Sequence, residues 1–301
     1  MPWRSADRAS FPGPAWATAP LAALLLPCFA AADDFGGSRL LATAGATSIE
    51  GSAGGGMTPW AVLAGYGDTG EFGCAGAASR LSTDDYGLTT TGLACSLGNR
   101  VELSVAQQAL DLDGLREPLG LPSDQQLRQS VVGLKVRIAG DIVYGRYGQV
   151  SMAVSHKDNR DEPLVRVAGA TKTRDLEAYI SAGKLFIDGP LGRMAYVNLT
   201  ARWSRANQTG LLGFGGDRKS SRTLRPEAAV ALLPRRDLAV GLEYRSKPDN
   251  LSFAGEDDWR DVFVAWFPGK HLSLVAAWVD LGSVGTLPDQ RGLYVSFAGS
   301  F

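Results

Sequence analysis

The chain has 301 residues, of which 45% are hydrophobic and 20% are charged, and its formal net charge is −1. A near-neutral chain lacks the positive field that nucleic acids require, so the composition argues against a nucleic-acid partner. Beyond the N-terminal region, no continuous apolar run reaches the ~18 to 20 residues of a transmembrane helix. The remaining classes are a soluble protein and a closed β-barrel, the other backbone arrangement that satisfies its hydrogen bonds in lipid.

The N-terminus has the pattern of a secretory signal. Arg4 and Arg8 precede a short apolar run from Leu21 to Ala32, which ends in three alanines. A charged segment, a short apolar core and small residues at the end are typical of a cleavable signal peptide. We therefore predict a cleaved signal peptide over residues 1–32, a periplasmic N-terminal tail over 33–39 and an outer-membrane β-barrel over 40–301.

Two-residue alternation dominates the rest of the chain. In MAYVNLTARWSR (194–205), Val197 and Leu199 alternate with Asn198 and Arg202. This period is that of a β-strand, because successive side chains of a strand point to opposite faces. The same pattern predicts strands near residues 40–51, 57–66, 71–81, 86–97, 100–111, 128–139, 149–156, 175–187, 193–205, 222–233, 238–247, 258–267, 270–281 and 291–301.

The predicted strands number about fourteen, and an even count suits a single-chain bacterial barrel. The first pair is the uncertain one, since GSAGGG (51–56) contains three consecutive glycines. If that pair is a plug or a tail, twelve strands remain. We predict an all-β, closed, antiparallel up-and-down transmembrane barrel with either number.

The predicted turns fall into two populations that alternate along the chain. Short turns lie at 67–71, 97–100, 188–193, 234–237 and 268–271, and longer polar loops lie at 112–127, 156–174, 205–222, 247–258 and 282–291. Short turns at one end and longer loops at the other are typical of outer-membrane barrels. Aromatic residues near the strand ends are interpreted as two interfacial girdles, with core aromatics as the alternative: Trp60, Tyr66, Tyr86, Trp203, Trp259, Trp266, Phe267 and Trp278.

The last strand and two internal blocks carry a family resemblance. The chain closes on DQRGLYVSFAGSF (289–301), and GSAGGG and YRSKPDNL (244–251) lie earlier. Together these blocks resemble the bacterial domain-of-unknown-function family numbered 3034, which implies an outer-membrane barrel over essentially the whole mature chain and implies no activity. The ending also resembles the signal that the barrel-assembly machinery reads, with Leu293, Val295, Phe297 and Phe301 at the matched positions.

Charged residues that alternate with apolar ones are predicted to line the barrel interior: Arg80, Glu102, Lys135, Arg137, Asp175, Glu177, Arg202, Glu243 and Arg245. In a water-filled lumen they would set ion preference, and in a closed lumen they would be paired ions that hold a plug. We predict a porin-like pore or specific uptake channel for an unknown small solute in a Gram-negative outer membrane. Lipid, lipopolysaccharide and the assembly machinery are the expected partners. The alternative is a structural or assembly barrel with a closed lumen.

Two further classes stay open. His156 with Asp158 or Asp161 as partner would suit an outer-membrane hydrolase at the outer rim, although no motif supplies a serine nucleophile. A soluble lipocalin-like binder would turn the apolar faces inward. The acidic runs DNRDE (158–162) and GEDDWRD (255–261) are weak metal signals, so no metal or cofactor is expected.

Cys74 and Cys95 are predicted to lie opposite each other. Their positions sum to 169, as do those of Asp84 and Asp85 at the centre of the hairpin between them. A symmetric hairpin therefore aligns the two sulfurs on neighbouring strands. Export to an oxidising compartment makes a cross-strand disulfide the hypothesis, with two free buried thiols as the alternative.

Overall fold

A computed structural model describes residues 37–112, 114 and 125–301, so the predicted signal peptide and residues 33–36 of the predicted tail lie outside the described residues. Two short strands, β1 (Ala46–Thr47) and β2 (Ala53–Gly54), precede the strands of a closed barrel. The barrel strands within the described residues are β3 (Phe72–Thr83), β4 (Gly87–Leu97), β5 (Val101–Asp111), β6 (Gln126–Gly140), β7 (Gln149–Asn159), β8 (Arg174–Phe186), β9 (Met194–Ser204), β10 (Thr223–Arg235), β11 (Leu238–Arg245), β12 (Trp259–Gly269), β13 (Leu272–Asp280) and β14 (Arg291–Ser300).

Each barrel strand pairs antiparallel with its neighbours in sequence, and β14 closes the barrel by pairing with β3. The predicted up-and-down barrel is confirmed, with the smaller of the two predicted strand numbers in the described part of the chain. The alternation is confirmed as well. Leu199 and Leu242 are exposed on the outward face, whereas Arg202 and Glu243 are buried on the inward face. The fold therefore presents an apolar belt outward and encloses polar side chains.

Connections between strands differ at the two ends of the barrel. At one end, which we call the turn end, they are residues 98–100, 141–148, 187–193, 236–237 and 270–271. At the other, the loop end, they are residues 84–86, 112–125, 160–173, 205–222, 246–258 and 281–290. The loop at 160–173 contains the one-turn helix α1 (Glu162–Val167), with proline in its first turn. No helix in the described residues is long and apolar enough to cross a membrane.

The predicted first strand pair at 40–51 and 57–66 is not part of the barrel wall. Residues 39–66, which we call the plug, lie inside the barrel, and residues 43–66 are all buried. Only the two-residue strands β1 and β2 pair with each other there. The cause is the glycine-rich sequence, since Gly51 has a φ of 86° and Gly56 a φ of 152°, backbone conformations that no regular strand contains.

The predicted aromatic girdles are present only in part. Trp203, Trp266 and Trp278 are exposed on the outward face. The other five predicted members are buried side chains of the plug, the interior or the loop end: Trp60, Tyr66, Tyr86, Trp259 and Phe267. Proximity to a strand end does not decide which face a side chain occupies, because one residue of shift reverses it.

Cys74 and Cys95 are cross-strand partners of β3 and β4 and are joined by a disulfide. They lie near the turn end, where Cys74 also exchanges backbone hydrogen bonds with Phe301. The disulfide therefore links β3 to β4 next to the place where β3 pairs with β14.

We expect neither cysteine to react with an alkylating reagent in unfolded, non-reduced protein, and both to react after reduction. Mass spectrometry of the peptides that contain Cys74 and Cys95 measures this directly. Two alkylated thiols in every non-reduced molecule would contradict the bond.

Contact of the outward belt with hydrocarbon is tested by two arginine substitutions. Leu199 lies in the middle of β9 and is 61% exposed, while Leu224 lies at the loop end of β10 and is 69% exposed. We expect Leu199→Arg to lower folding stability in lipid vesicles by about 2–4 kcal/mol, and Leu224→Arg by at most about 1 kcal/mol, because the penalty falls towards the membrane interface. Equal losses in denaturant titrations of the two variants would count against a membrane around this belt.

Candidate functional site: the interface between plug and wall

An ionic cluster forms around Glu50 of the plug, in the half of the interior towards the loop end. Its carboxylate lies 2.7 Å from Lys157 Nζ, 3.0 Å from an Arg202 nitrogen and 2.6 Å from an Arg245 nitrogen. The three bases come from β7, β9 and β11. All four side chains are at most 4% exposed. The plug therefore supplies a carboxylate to three basic side chains that are shielded from solvent.

Two wall acids complete this cluster. Glu177 lies 2.5 Å from Lys157, and Glu227 lies 2.5 Å from Arg202 Nε and 3.4 Å from Arg245 Nε. Three acids thus balance three bases. Within this cluster the wall carries one more base than acid, and Glu50 removes that excess when the plug is in place.

A second buried ion pair, Lys135 with Glu102, forms hydrogen bonds with the backbone of the plug. Lys135 Nζ lies 3.3 Å from Glu102 and donates hydrogen bonds to the carbonyls of Ala53 and Val62, both at 3.0 Å. Glu102 accepts from the backbone N–H of Ala64 at 2.8 Å and from that of Ala53 at 3.3 Å. These wall charges therefore provide hydrogen-bond partners for backbone groups of the plug that are not paired with a neighbouring strand.

Neutral wall residues act in the same way on the next segment of the plug. Gln149 and Ser151 both donate to the Ala61 carbonyl, at 2.5 and 2.6 Å, and Asn198 Oδ1 accepts from the Ala61 N–H at 2.8 Å. A single plug residue is thus held by β7 and β9. Main-chain recognition of this kind fixes the path of the plug without regard to its side chains.

Glu243 of β11 anchors the plug residues that follow the glycines. It accepts from the Met57 N–H at 2.8 Å, from the Thr58 hydroxyl and from Trp60 Nε1 at 2.9 Å. Its cross-strand partner is Asp261 of β12, which also points inward and is only 5% exposed. Neither oxygen of Asp261 has a hydrogen-bond partner among the described residues.

The loop end is covered by residues 205–216, whose backbone folds into the mouth. Thr209 accepts from Lys157 Nζ at 2.9 Å through its carbonyl, and Gln208 N–H donates to Glu256 at 2.8 Å. Glu256 in turn lies 3.1 Å from Lys247. Loss of hydration on burial lowers the pKa of Lys247 and raises the pKa of Glu256, so each favours its neutral form more than it does in water.

Six of the charges predicted to line the interior lie at the plug interface and are buried: Glu102, Lys135, Glu177, Arg202, Glu243 and Arg245. Two others face inward near the ends. Asp175 pairs with Arg205 at 2.5 Å and Arg222 at 2.6 Å at the loop end, and Arg137 lies 3.8 Å from Asp141 at the turn end. The interior that these residues line is filled by the plug.

The prediction that Arg80 lines the interior is wrong. Its side chain lies on the outward face, is 46% exposed and pairs with Asp111 at 2.8 Å. It also donates to the Thr89 hydroxyl at 2.6 Å. Arg80 is near the loop end of β3, where the outward face has left the apolar belt, so an outward charge meets polar surroundings there.

Sequence reasoning missed Lys157, Glu227 and Glu50. The predicted strand at 149–156 ends one residue before Lys157, although the alternation continues to Asn159 in the structure. Glu227 follows Pro226, which obscures the strand pattern, yet it has the same parity as Ala229 and Ala231. Glu50 lies at the end of the predicted strand at 40–51, and neither that prediction nor the plug alternative gives it a partner on the wall.

The histidines are far apart in the barrel. His156 is exposed on the outward face of β7 opposite Val132 and Leu176, and His271 lies at the turn end, where its Nδ1 is 3.0 Å from the Ser300 carbonyl. Asp161 accepts from the Arg128 N–H at 2.6 Å. Among the described residues, no three His, Cys, Asp or Glu side chains converge on a point where a metal ion could bind.

The residues predicted as an assembly signal lie at the end of the barrel wall. Leu293, Val295 and Phe297 are exposed on the outward face of β14, and Phe301 follows the strand at the turn end. Their role in assembly stays a prediction.

Replacing Asp261 tests the acidic pair. We expect Asp261→Asn to raise the free energy of unfolding by about 1–2 kcal/mol, because an amide donates to Glu243 at any pH, whereas one of two adjacent buried carboxyls must first take up a proton. We expect Glu243→Gln to lower it by about 2–3 kcal/mol, because hydrogen bonds to three plug donors lose a charged acceptor. Equal losses in thermal unfolding of the two variants would contradict this account.

The chain is similar to several solved structures. It resembles the KdgM porin with 10% identity over 75% of this chain and 99% of that chain, at a TM-score of 0.48. It resembles Acinetobacter baumannii outer membrane protein Omp33 with 9% identity over 76% of this chain and 97% of that chain, at a TM-score of 0.45. It resembles outer membrane phospholipase A from Escherichia coli with 11% identity over 75% of this chain and 91% of that chain, at a TM-score of 0.37. No curated protein matches the sequence.

The family match covers nearly all of the plug and of the barrel wall. Residues 43–298 match the family described as Protein of unknown function (DUF3034), as the blocks at 51–56, 244–251 and 289–301 led us to expect. Since the match extends over far more than half of the sequence, the chain belongs to the DUF3034 family.

Proposed function

We propose that this protein is an outer-membrane channel for a small solute, and that the plug closes its lumen. The observation that carries the proposal is the chemistry of the interface between plug and wall. Charged and amide side chains of the wall hold the plug at Glu50, at Ala61 and at residues 57–60.

A polar interface suits a gate because its groups can exchange partners with water. When the plug moves, Lys135, Lys157, Arg202 and Arg245 stay on the wall with Glu102, Glu177 and Glu227. A lumen lined with both signs of charge fills with water, whereas an apolar constriction of the same width resists wetting. The open state is therefore a hydrated pore of mixed charge.

The proposed location follows from the outward face and the chain ends. Exposed Leu, Val and Ile side chains surround the barrel, and closure leaves no unpaired strand edge that lipid would have to accommodate. The signal-like N-terminus provides the export that an outer-membrane location needs. Gly37, the first described residue, accepts a hydrogen bond from Lys270 at the turn end. Short turns of outer-membrane barrels face the periplasm, so we place the turn end there and the loop end outside.

A structural barrel with a permanently closed lumen is the second candidate. It is favoured by the balance of charge around Glu50, where three acids meet three bases. The two candidates differ in one respect: the channel has an accessible state without the plug, and the structural barrel does not.

Glu50→Gln distinguishes them in planar bilayers. Removing the acid leaves three buried bases with two wall acids in the closed state only, which costs several kcal/mol there and little in a hydrated open state. We expect wild-type protein to show discrete conductance steps and Glu50→Gln to open at least about tenfold more often.

The matched control is Glu162→Gln, which removes the exposed partner of Arg166 on α1, 3.1 Å away. We expect this variant to behave as wild type. Silence of both wild type and Glu50→Gln across voltage and salt would reject the channel in favour of the structural barrel.

A further inference from the structure

The interior is apolar towards the turn end, in contrast to the ionic cluster around Glu50. A cavity of about 30 Å³ lies there between plug and wall, lined mostly by aliphatic side chains together with four aromatic ones. The rings of Trp60 and Tyr196 lie 4.6 Å apart, and those of Trp60 and Phe263 lie 6.3 Å apart. This cavity has room for about one water-sized group, and its walls offer an apolar group dispersion contacts.

A much larger cleft opens beside this cavity at the turn end. Its volume is about 900 Å³, and it lies between the start of the plug at Leu40 and the connections at 187–193 and 236–237. Leu185 and Leu233 line both the cleft and the inner cavity. An apolar path therefore leads from the turn end to Trp60, interrupted only by side chains that pack between the two spaces.

Arginines surround the mouth of the cleft. Arg193, Arg235 and Arg236 line it and are exposed. Arg193 donates to the Pro234 carbonyl at 3.0 Å, and Arg235 pairs with Asp237 at 2.5 Å.

Arg236 has no ion pair with another described residue. Together with Arg235, the last residue of β10, the two connections that form this mouth carry three arginines against the two aspartates Asp188 and Asp237. The charge at the mouth is thus positive, while the walls are apolar.

We propose that this cleft binds a long-chain carboxylate, with its carboxylate at the arginines and its alkyl chain directed towards Trp60. The proposal rests on the channel function and names the class of its solute. Pockets of about 300–1,000 Å³ are typical for ligands of this size, and guanidinium groups bind carboxylates with paired hydrogen bonds. An apolar wall with one charged rim matches an amphiphile and matches no small polar solute.

The position of Trp60 connects the ligand to the gate. The Trp60 ring lines the inner cavity, and its Nε1 donates to Glu243, which also holds Met57 and Thr58. An alkyl chain that reaches this cavity displaces the ring from its packing and loosens the anchor at Glu243. Binding of the solute in the cleft at the turn end thereby favours release of the plug at that end.

Photolabelling of the full-length protein in lipid nanodiscs tests the site. The probe is a hexadecanoate with a diazirine near its methyl end, and its methyl ester is the uncharged control. We expect adducts on Trp60 or Phe263 by peptide mass spectrometry, and at least about tenfold fewer with the ester, since hydrogen bonds to a charged group are the stronger ones.

The double variant Arg193→Gln/Arg236→Gln alters exposed side chains only, so it leaves the fold intact. It is expected to lower labelling by the acid to the level of the ester. Arg291→Gln, at the loop end, is the matched control and is expected to label as wild type. Adducts confined to outward residues such as Leu199 and Val230, or equal labelling by acid and ester, would mean that the probe only partitions into lipid and would overturn the proposal.

Conductance of the same protein in planar bilayers separates the two proposals. Conductance steps without labelling at Trp60 or Phe263 would retain the channel and reject the carboxylate as its solute. Arginine-dependent labelling without conductance would retain the binding site and reject the channel.

Discussion

The fit of the plug inside this barrel depends on the carboxylate of Glu50. The three bases that it meets are fixed on separate wall strands and are shielded from water, and the wall acids Glu177 and Glu227 neutralise only two of them. A buried charge without a partner is strongly unfavourable. The plug is therefore an electrostatic partner of the wall rather than an inert filler.

The barrel wall could be predicted because membrane barrels obey a simple pattern. Alternation at Val197–Trp203 and the short turns place strands within a few residues of their bounds, and a symmetric hairpin sets Cys74 opposite Cys95. The three consecutive glycines suggested a plug as an alternative to a strand pair, but its path and contacts could not be predicted in this way. Its backbone groups bond to side chains such as Lys135 and Asn198 that lie far away in sequence, and no period records such contacts.

The odd or even position of a charged residue along its strand predicts whether it faces the interior, wherever the strand bounds are predicted correctly. Glu102, Glu177 and Arg202 are examples, each flanked by outward apolar residues. Parity fails at the barrel ends, as Arg80 shows, because polar surroundings exist on both faces there. The apolar cleft at the turn end also escaped sequence reasoning, since its walls combine Leu40, Leu185 and Leu233 from segments that no local pattern links.

The plug precedes every barrel strand in the chain, yet Glu50 and Arg245 are 195 residues apart. Contacts across such separations form late in folding. The seam between β3 and β14 likewise joins the first and last wall strands. The order of assembly therefore decides whether the membrane leaks. If β3 pairs with β14 before the plug has docked, the barrel is an open pore in the membrane. If the barrel closes around a docked plug, no open pore forms during assembly.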